Sequence, residues 1–117
     1  MSFTDTISPV QACPGVELTA IADRDGITVQ SWGGKRSEVE EFIGEFANFF
    51  HEIVNANREL QLGDLEQVVV AAEQKTVIVT TIVEGYYLMT VVNPDGLAGK
   101  ARFTSRVAAY HLKREFM

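Results

Sequence analysis

Two stretches bring chemically capable residues together. Gly33-Gly34-Lys35-Arg36-Ser37 sits between a strand and a helix, where a phosphate-cradling loop would pass its anion to a helix N-terminus. The pattern departs from such a loop twice. Val29 stands where the first glycine belongs, and Arg36 stands where serine or threonine should follow the lysine. The stretch therefore reads as a loop turn before a helix, with at most a weak anion site at that helix N-terminus. The second stretch holds the acids Glu41, Glu45, Glu52 and Glu59. Steps of four and seven put these carboxylates in one helical row rather than around one centre, so they form a solvated face or a recognition surface.

The remaining reactive residues are scattered. His51 and His111 lie on different helices, with no cysteine or acid pair at metal-ligand spacing. Cys13 has no histidine near it in sequence, and no Gly-x-Ser-x-Gly elbow occurs, so nucleophilic catalysis has no machinery. Tyr86 and Tyr87 are neighbours in a strand, one on each face, and packing accounts for both. The expectation is a non-enzyme with no metal and no cofactor.

The acidic row requires a long helix, and Ser37 to Gly63 provides one. Ser37 with Glu40 forms a capping-box pattern, and Gly63 stands where a left-handed stop is expected. Val39, Phe42, Phe46, Phe49, Ile53, Ala56 and Leu60 recur at steps of three and four, with Ile43, Phe50 and Val54 beside them. These positions sweep roughly 160°, against about 100° for a helix that only docks on its own core. A second chain is the simplest cover for the surplus. Two flanks are open for that contact: a small one with Gly44, Ala47, His51 and Val54, and a larger one with Phe49 and Ala56. The opposite side exposes Glu41, Glu45, Asn48, Glu52, Asn55 and Glu59.

Composition sets the class. The 117 residues suit one domain, and a hydrophobic fraction of 46% argues for a globular chain. No apolar run reaches membrane-span length, and no basic segment precedes an apolar one at the N-terminus, which argues against membrane insertion and secretion. The lone Cys13 fits a reducing cytoplasm. The net charge of −6 excludes a basic nucleic-acid binder. Charge is nonetheless uneven: Lys100, Arg102, Arg106, Lys113 and Arg114 gather in the last helix as a solvated face, with Lys113 and Arg114 at the end that suits its dipole.

The elements around the long helix follow from turn signals. Residues 1–14 form a short helix or extension, started at Ser8-Pro9 and ended by Pro14-Gly15. Val16 to Asp23 is a strand, Arg24-Asp25-Gly26 a hairpin turn, and Ile27 to Trp32 the returning strand. Leu65 to Glu73, Thr76 to Val83 and Tyr86 to Val92 are three strands joined too tightly for parallel crossovers. Thr76 to Val83 is fit for burial on both faces, so helices must cover both sides of the sheet. Leu97 to about Phe116 is the terminal helix, with Ala101, Phe103, Val107, Ala108, Tyr110 and Leu112 as its candidate buried stripe.

This order resembles the roadblock/dynein light chain family. The resemblance rests on Pro14-Gly15-Val16 with Ala20-Ile21-Ala22-Asp23-Arg24-Asp25-Gly26-Ile27, on the long helix, on Glu84-Gly85-Tyr86-Tyr87-Leu88, and on Gly96-Leu97-Ala98-Gly99-Lys100-Ala101-Arg102. It covers residues 14 to 115. It implies an α+β fold: a three-layer α/β/α sandwich with a five-stranded antiparallel sheet in order 2-1-5-4-3, similar to profilin and longin domains. The long helix covers one face and the terminal helices the other. It further implies dimerisation through the long helix and the third strand, which adds Val68 and Val70 to the candidate contact. Many members bind or regulate Ras-like small GTPases, the bacterial gliding-polarity type among them, and others serve as dynein-linked adaptors. The short, proline-interrupted first helix departs from the family pattern.

The expectation is a cytoplasmic homodimeric adaptor that binds a Ras-like small GTPase and modulates its hydrolysis. The binding candidates are Glu41, Glu45, Asn48, Glu52, Asn55 and Glu59. The dimer candidates are Gly44, Ala47, Phe49, His51, Val54, Ala56, Val68 and Val70. The alternatives are a structural scaffold or motor-associated light chain without a GTPase, and a small-molecule sensor or enzyme using a pocket in the sandwich.

Overall fold

The hairpin at Asp23–Thr28 orders the start of the sheet. Asp23 Oδ1 accepts from the backbone N–H groups of Asp25 at 2.9 Å and Ile27 at 3.1 Å, while Gly26 adopts φ +80°. A computed structural model describes residues 2–117. In chain order the elements are α1 (Phe3–Gln11), β1 (Val16–Asp23), β2 (Thr28–Trp32), α2 (Arg36–Glu59), β3 (Gln67–Ala71), β4 (Thr76–Val83), β5 (Tyr86–Val92) and α3 (Ala98–Leu112), then a 3-10 turn over Lys113–Phe116. The strands are antiparallel in the order β2-β1-β5-β4-β3, as expected. Pairings such as Ala20 with Met89 and Ile78 with Thr90 fix the register.

Each face of the sheet has its own core. Leu18, Ala20, Ala22, Val77, Val79, Met89 and Val91 meet Val39, Ile43 and Phe50 of α2. On the reverse, Ile21, Ile82 and Leu88 meet Ile7 and Val10 of α1 and Ala108, Ala109 and Leu112 of α3. Ile78 and Val92 continue this layer with Cys13 and Ala101. Double-sided burial of β4 thus has the cause its sequence suggests.

Where Pro14-Gly15 and Gly96-Leu97 cross, the backbones touch. Leu97 N–H donates to Pro14 O at 3.0 Å, and Asn93 N–H to Gly15 O at 2.8 Å. A Cβ on Gly15, already at φ +85°, would stand 2.3 Å from the Gly96 Cα. Only glycine permits this approach.

Several local expectations are corrected. α1 begins six residues before Pro9 rather than at Ser8-Pro9. Ser2 caps it by accepting from Asp5 N–H at 3.2 Å, and Pro9 lies inside its last turn. Burial of Ile7 and Val10 holds the helix through the one backbone bond that Pro9 removes. The Ser37–Glu40 capping box does not form: α2 starts at Arg36, Lys35 is its N-cap without a side-chain bond, and Arg36 binds Glu40 at 3.1 Å. Nor does Gly63 stop α2. Gln61 at φ +56° takes the left-handed position, with Gln61 N–H to Arg58 O and Leu62 N–H to Asn57 O both at 3.1 Å. β2 begins at Thr28, leaving Ile27 exposed, and β3 is shorter than Leu65 to Glu73.

The α3 stripe is also corrected. Ala101, Ser105, Ala108, Ala109 and Leu112 face the sheet, while Phe103, Val107 and Tyr110 point outwards. α3 lies close enough for Ser105 Oγ to reach Thr90 Oγ1 at 3.0 Å, which leaves room only for small side chains.

Candidate interaction surface

The outer side of α2 is an exposed face that no internal packing requires. Of its 24 residues, only Val39, Ile43 and Phe50 are buried. Phe42, Phe46 and Val54 are half-buried against the same core, which also receives Val68 and Val70 of β3. The Phe50 ring meets Tyr87 edge-on at 4.2 Å, and burial pushes the Tyr87 phenol above its ordinary titration range, against the opposing charge of Arg24.

The two flanks of α2 meet different surroundings. On the small flank, the Ala47 methyl lies 3.2 Å from where a Cβ of Gly26 would stand, and His51 Nε2 lies 2.9 Å from the Arg24 carbonyl, to which it can only donate. The chain's own β1–β2 hairpin therefore borders Ala47 and His51. Gly44 has open space where its Cβ would be. On the larger flank, Phe49 is 44% exposed, its ring edge-on to Phe46 at 6.0 Å, and Ala56 and Leu60 are exposed beyond it. β3, with half-buried Val68 and Val70, is an edge strand with one side unpaired. All six members of the polar row, Glu41, Glu45, Asn48, Glu52, Asn55 and Glu59, are exposed.

The other chemically suggestive residues have structural explanations. Gly33 and Gly34 adopt φ +76° and +67°, and a Cβ on Gly33 would stand 2.4 Å from the Glu17 carbonyl oxygen. These glycines let the loop pass close to β1. Cys13 is buried, its thiol donating to Pro9 O at 3.4 Å. Among the described residues no three His, Cys, Asp or Glu side chains gather as a metal site, and no helix is long and apolar enough to cross a membrane. A groove of about 700 Å³ opens where β3 stops short of the end of β4. Arg58, Arg106 and Lys113 share it with Asp64, Glu66 and Glu84, so its charge is mixed.

Residues 3–93 match the family model for the Roadblock/LC7 domain. The chain belongs to the Roadblock/LC7 family. The Roadblock/LC7 domain from Streptomyces avermitilis superposes on it with a TM-score of 0.84 at 17% identity, over 94% of this chain and 92% of that one. Myxococcus xanthus MglB gives 0.84 at 12%, over 99% and 98%. MglC from Myxococcus xanthus is 27% identical with a TM-score of 0.69, over 98% and 99%. No protein of curated function is a significant match. In this Roadblock/LC7 domain, sequence reasoning missed the His51–Arg24 tie and the Phe50–Tyr87 pair, because both join residues far apart in the chain.

Proposed function

We propose that this Roadblock/LC7 domain is a homodimeric adaptor that binds a Ras-like small GTPase on the acid-lined outer face of α2. The observation that carries the reading is the partition of α2. An unfilled apolar flank of Phe49, Ala56 and Leu60 lies beside an exposed row of Glu41, Glu45, Asn48, Glu52, Asn55 and Glu59. The apolar flank, with Val68 and Val70 on the unpaired edge strand, suits a second copy, since burying such surface drives association. Ala47 and His51 already have neighbours in the hairpin, which favours the Phe49 flank over the Gly44 flank. The acidic row is then left for the GTPase, in keeping with the family.

Any effect on hydrolysis comes from ordering the GTPase's own switch loops, because binding one conformation shifts its population without adding a catalytic group. Arg102 and Arg106 lie on α3, across the sheet, where they engage Gln67 and Glu66. Light scattering at micromolar concentration should give twice the chain mass. Glu45→Lys with Glu52→Lys should abolish binding of a Ras-like GTPase from the same cell, while Arg102→Ala with Arg106→Ala leaves its hydrolysis unaffected. A clean monomer sinks the dimer; loss of the hydrolysis effect in the arginine variant sinks the mechanism. A dimer that binds no GTPase leaves a scaffold.

A further inference from the structure

Three large side chains on the outer face of α3 belong to none of the cores. Phe103 and Tyr110 are each 70% exposed, and Val107 is exposed between them. Steps of four and three place the three on one line of the helix. Lys100 lies on one side of that line and Arg102, Arg106 and Lys113 on the other, with Arg114 at its end. Arg106 is held by Glu66 at 3.1 Å and Arg102 reaches Gln67 Oε1 at 3.4 Å. Lys100, Lys113 and Arg114 have no acidic partner among the described residues. From Ala98 to Phe116 five bases accompany one acid, whereas α2 holds six acids and two bases. α2 and α3 cover opposite faces of one sheet. The molecule is a plate with an acidic front and a basic, aromatic back.

We infer that the back docks a second copy of this chain: α3 of one molecule lies on the acidic face of α2 of another. Charge complementarity selects this occupant. The free cations beside Phe103 and Tyr110 meet Glu41, Glu45, Glu52 and Glu59, and the rings rest on the methylene stems of those glutamates. Front and back are on opposite faces, so no molecule satisfies itself, and every added copy presents both surfaces again. The contact is heterologous and extends rather than closes. It differs from the dimer contact, which uses the Phe49 flank. The inference rests on reading the acidic row as a binding face and adds regulation to it: stacking and the GTPase compete for Glu45 and Glu52.

Sedimentation velocity on the full chain tests this. At low ionic strength and rising protein concentration, the weight-average mass should climb past the dimer by roughly twofold or more, and high salt should return it to the dimer by screening the charges. Phe103→Ser with Tyr110→Ser, and separately Lys100→Glu with Lys113→Glu, should leave a dimer that does not grow and whose circular dichroism and melting temperature are unchanged. Glu45→Lys with Glu52→Lys should also not grow alone, but an equimolar mixture with Lys100→Glu/Lys113→Glu should regain growth. A mass fixed at the dimer at every concentration overturns the inference, as does growth that survives the Phe103/Tyr110 changes. Binding of phosphatidylserine vesicles through Phe103 and Tyr110 without self-association also overturns it and assigns the face to lipid. GTPase capture by the Phe103→Ser/Tyr110→Ser variant separates the two readings. Capture by that variant when the unaltered chain does not grow supports the GTPase reading alone, and growth of the unaltered chain without capture supports stacking alone.

Discussion

α2 and α3 flank the same sheet but pack on opposite principles. α3 seats Ala101, Ser105, Ala108, Ala109 and Leu112 flat against the strands, all nearly inaccessible. Small side chains bring its axis close, and its aromatics are left outside. α2 reaches the sheet through long side chains, Phe50 and Ile43 above all, and stands off far enough to leave Phe42, Phe46 and Val54 half-buried. A helix seated on small residues completes its own layer. A helix on aromatic stilts leaves apolar area at its sides, and on α2 that area adjoins an acidic row. The difference shows that the candidate interaction surface arises from how the core is built, not from extra residues added to it.

The sharpest way to test the comparison is a pair of adjacent phenylalanines. Phe50 is buried against Tyr87, so Phe50→Ala should cost about 3–5 kcal/mol, read as a lowered urea midpoint. That is a large share of the 5–15 kcal/mol typical of such domains, roughly speaking. Phe49, one residue away and turned outwards, should lose little folding stability as alanine, within about 0.5 kcal/mol at concentrations where the chain is monomeric. Its effect should be a weaker dimer in light scattering. Comparable urea midpoints for the two variants would erase the distinction between core and flank on α2.

On α3 the corresponding test is polar. Ser105 and Thr90 are both fully buried and bond only because the helix approaches the strand so closely. Ser105→Ala strands the Thr90 hydroxyl and should cost about 1–3 kcal/mol. Adding Thr90→Val should recover much of that loss, since removing both partners of a buried bond is close to neutral. An additive double variant would mean that the two hydroxyls do not depend on one another, and that α3 sits less tightly than its small residues indicate.

Much of this fold is legible in the sequence. β1, β4 and β5 begin and end where their alternation and turn residues put them, because strand signals there coincide with Gly and Asp punctuation. The acidic row on α2 is also legible, since a period near 3.6 separates it from the aromatic stripe, and all six residues are exposed. Less legible was everything decided across the chain. Pro9 reads as a helix start until burial of Ile7 and Val10 is known. Ser37 and Glu40 read as a capping box until Arg36 takes the glutamate. The α3 stripe is the clearest case: hydrophobicity points to Phe103 and Tyr110, but the Thr90–Ser105 approach selects alanine and serine. Which flank of α2 was free depended on the Arg24–Gly26 hairpin reaching Ala47 and His51, a contact between distant segments.

The smallest effect, and the one that separates the flanks most cleanly, lies at Gly44. A mid-helix glycine costs roughly 0.8–1 kcal/mol relative to alanine unless something needs its bare surface. Nothing stands within 4 Å of its Cβ position, so Gly44→Ala should raise stability by about that amount, read as a higher melting temperature. Gly44→Leu should do nearly as well, and the dimer should persist, if the contact runs through Phe49 and Ala56. A leucine that breaks the dimer while the protomer stays folded would show a second copy pressed against Gly44. The small flank would then be the interface, the aromatic flank of α2 would need another partner, and the acidic row would lie differently with respect to the dimer axis.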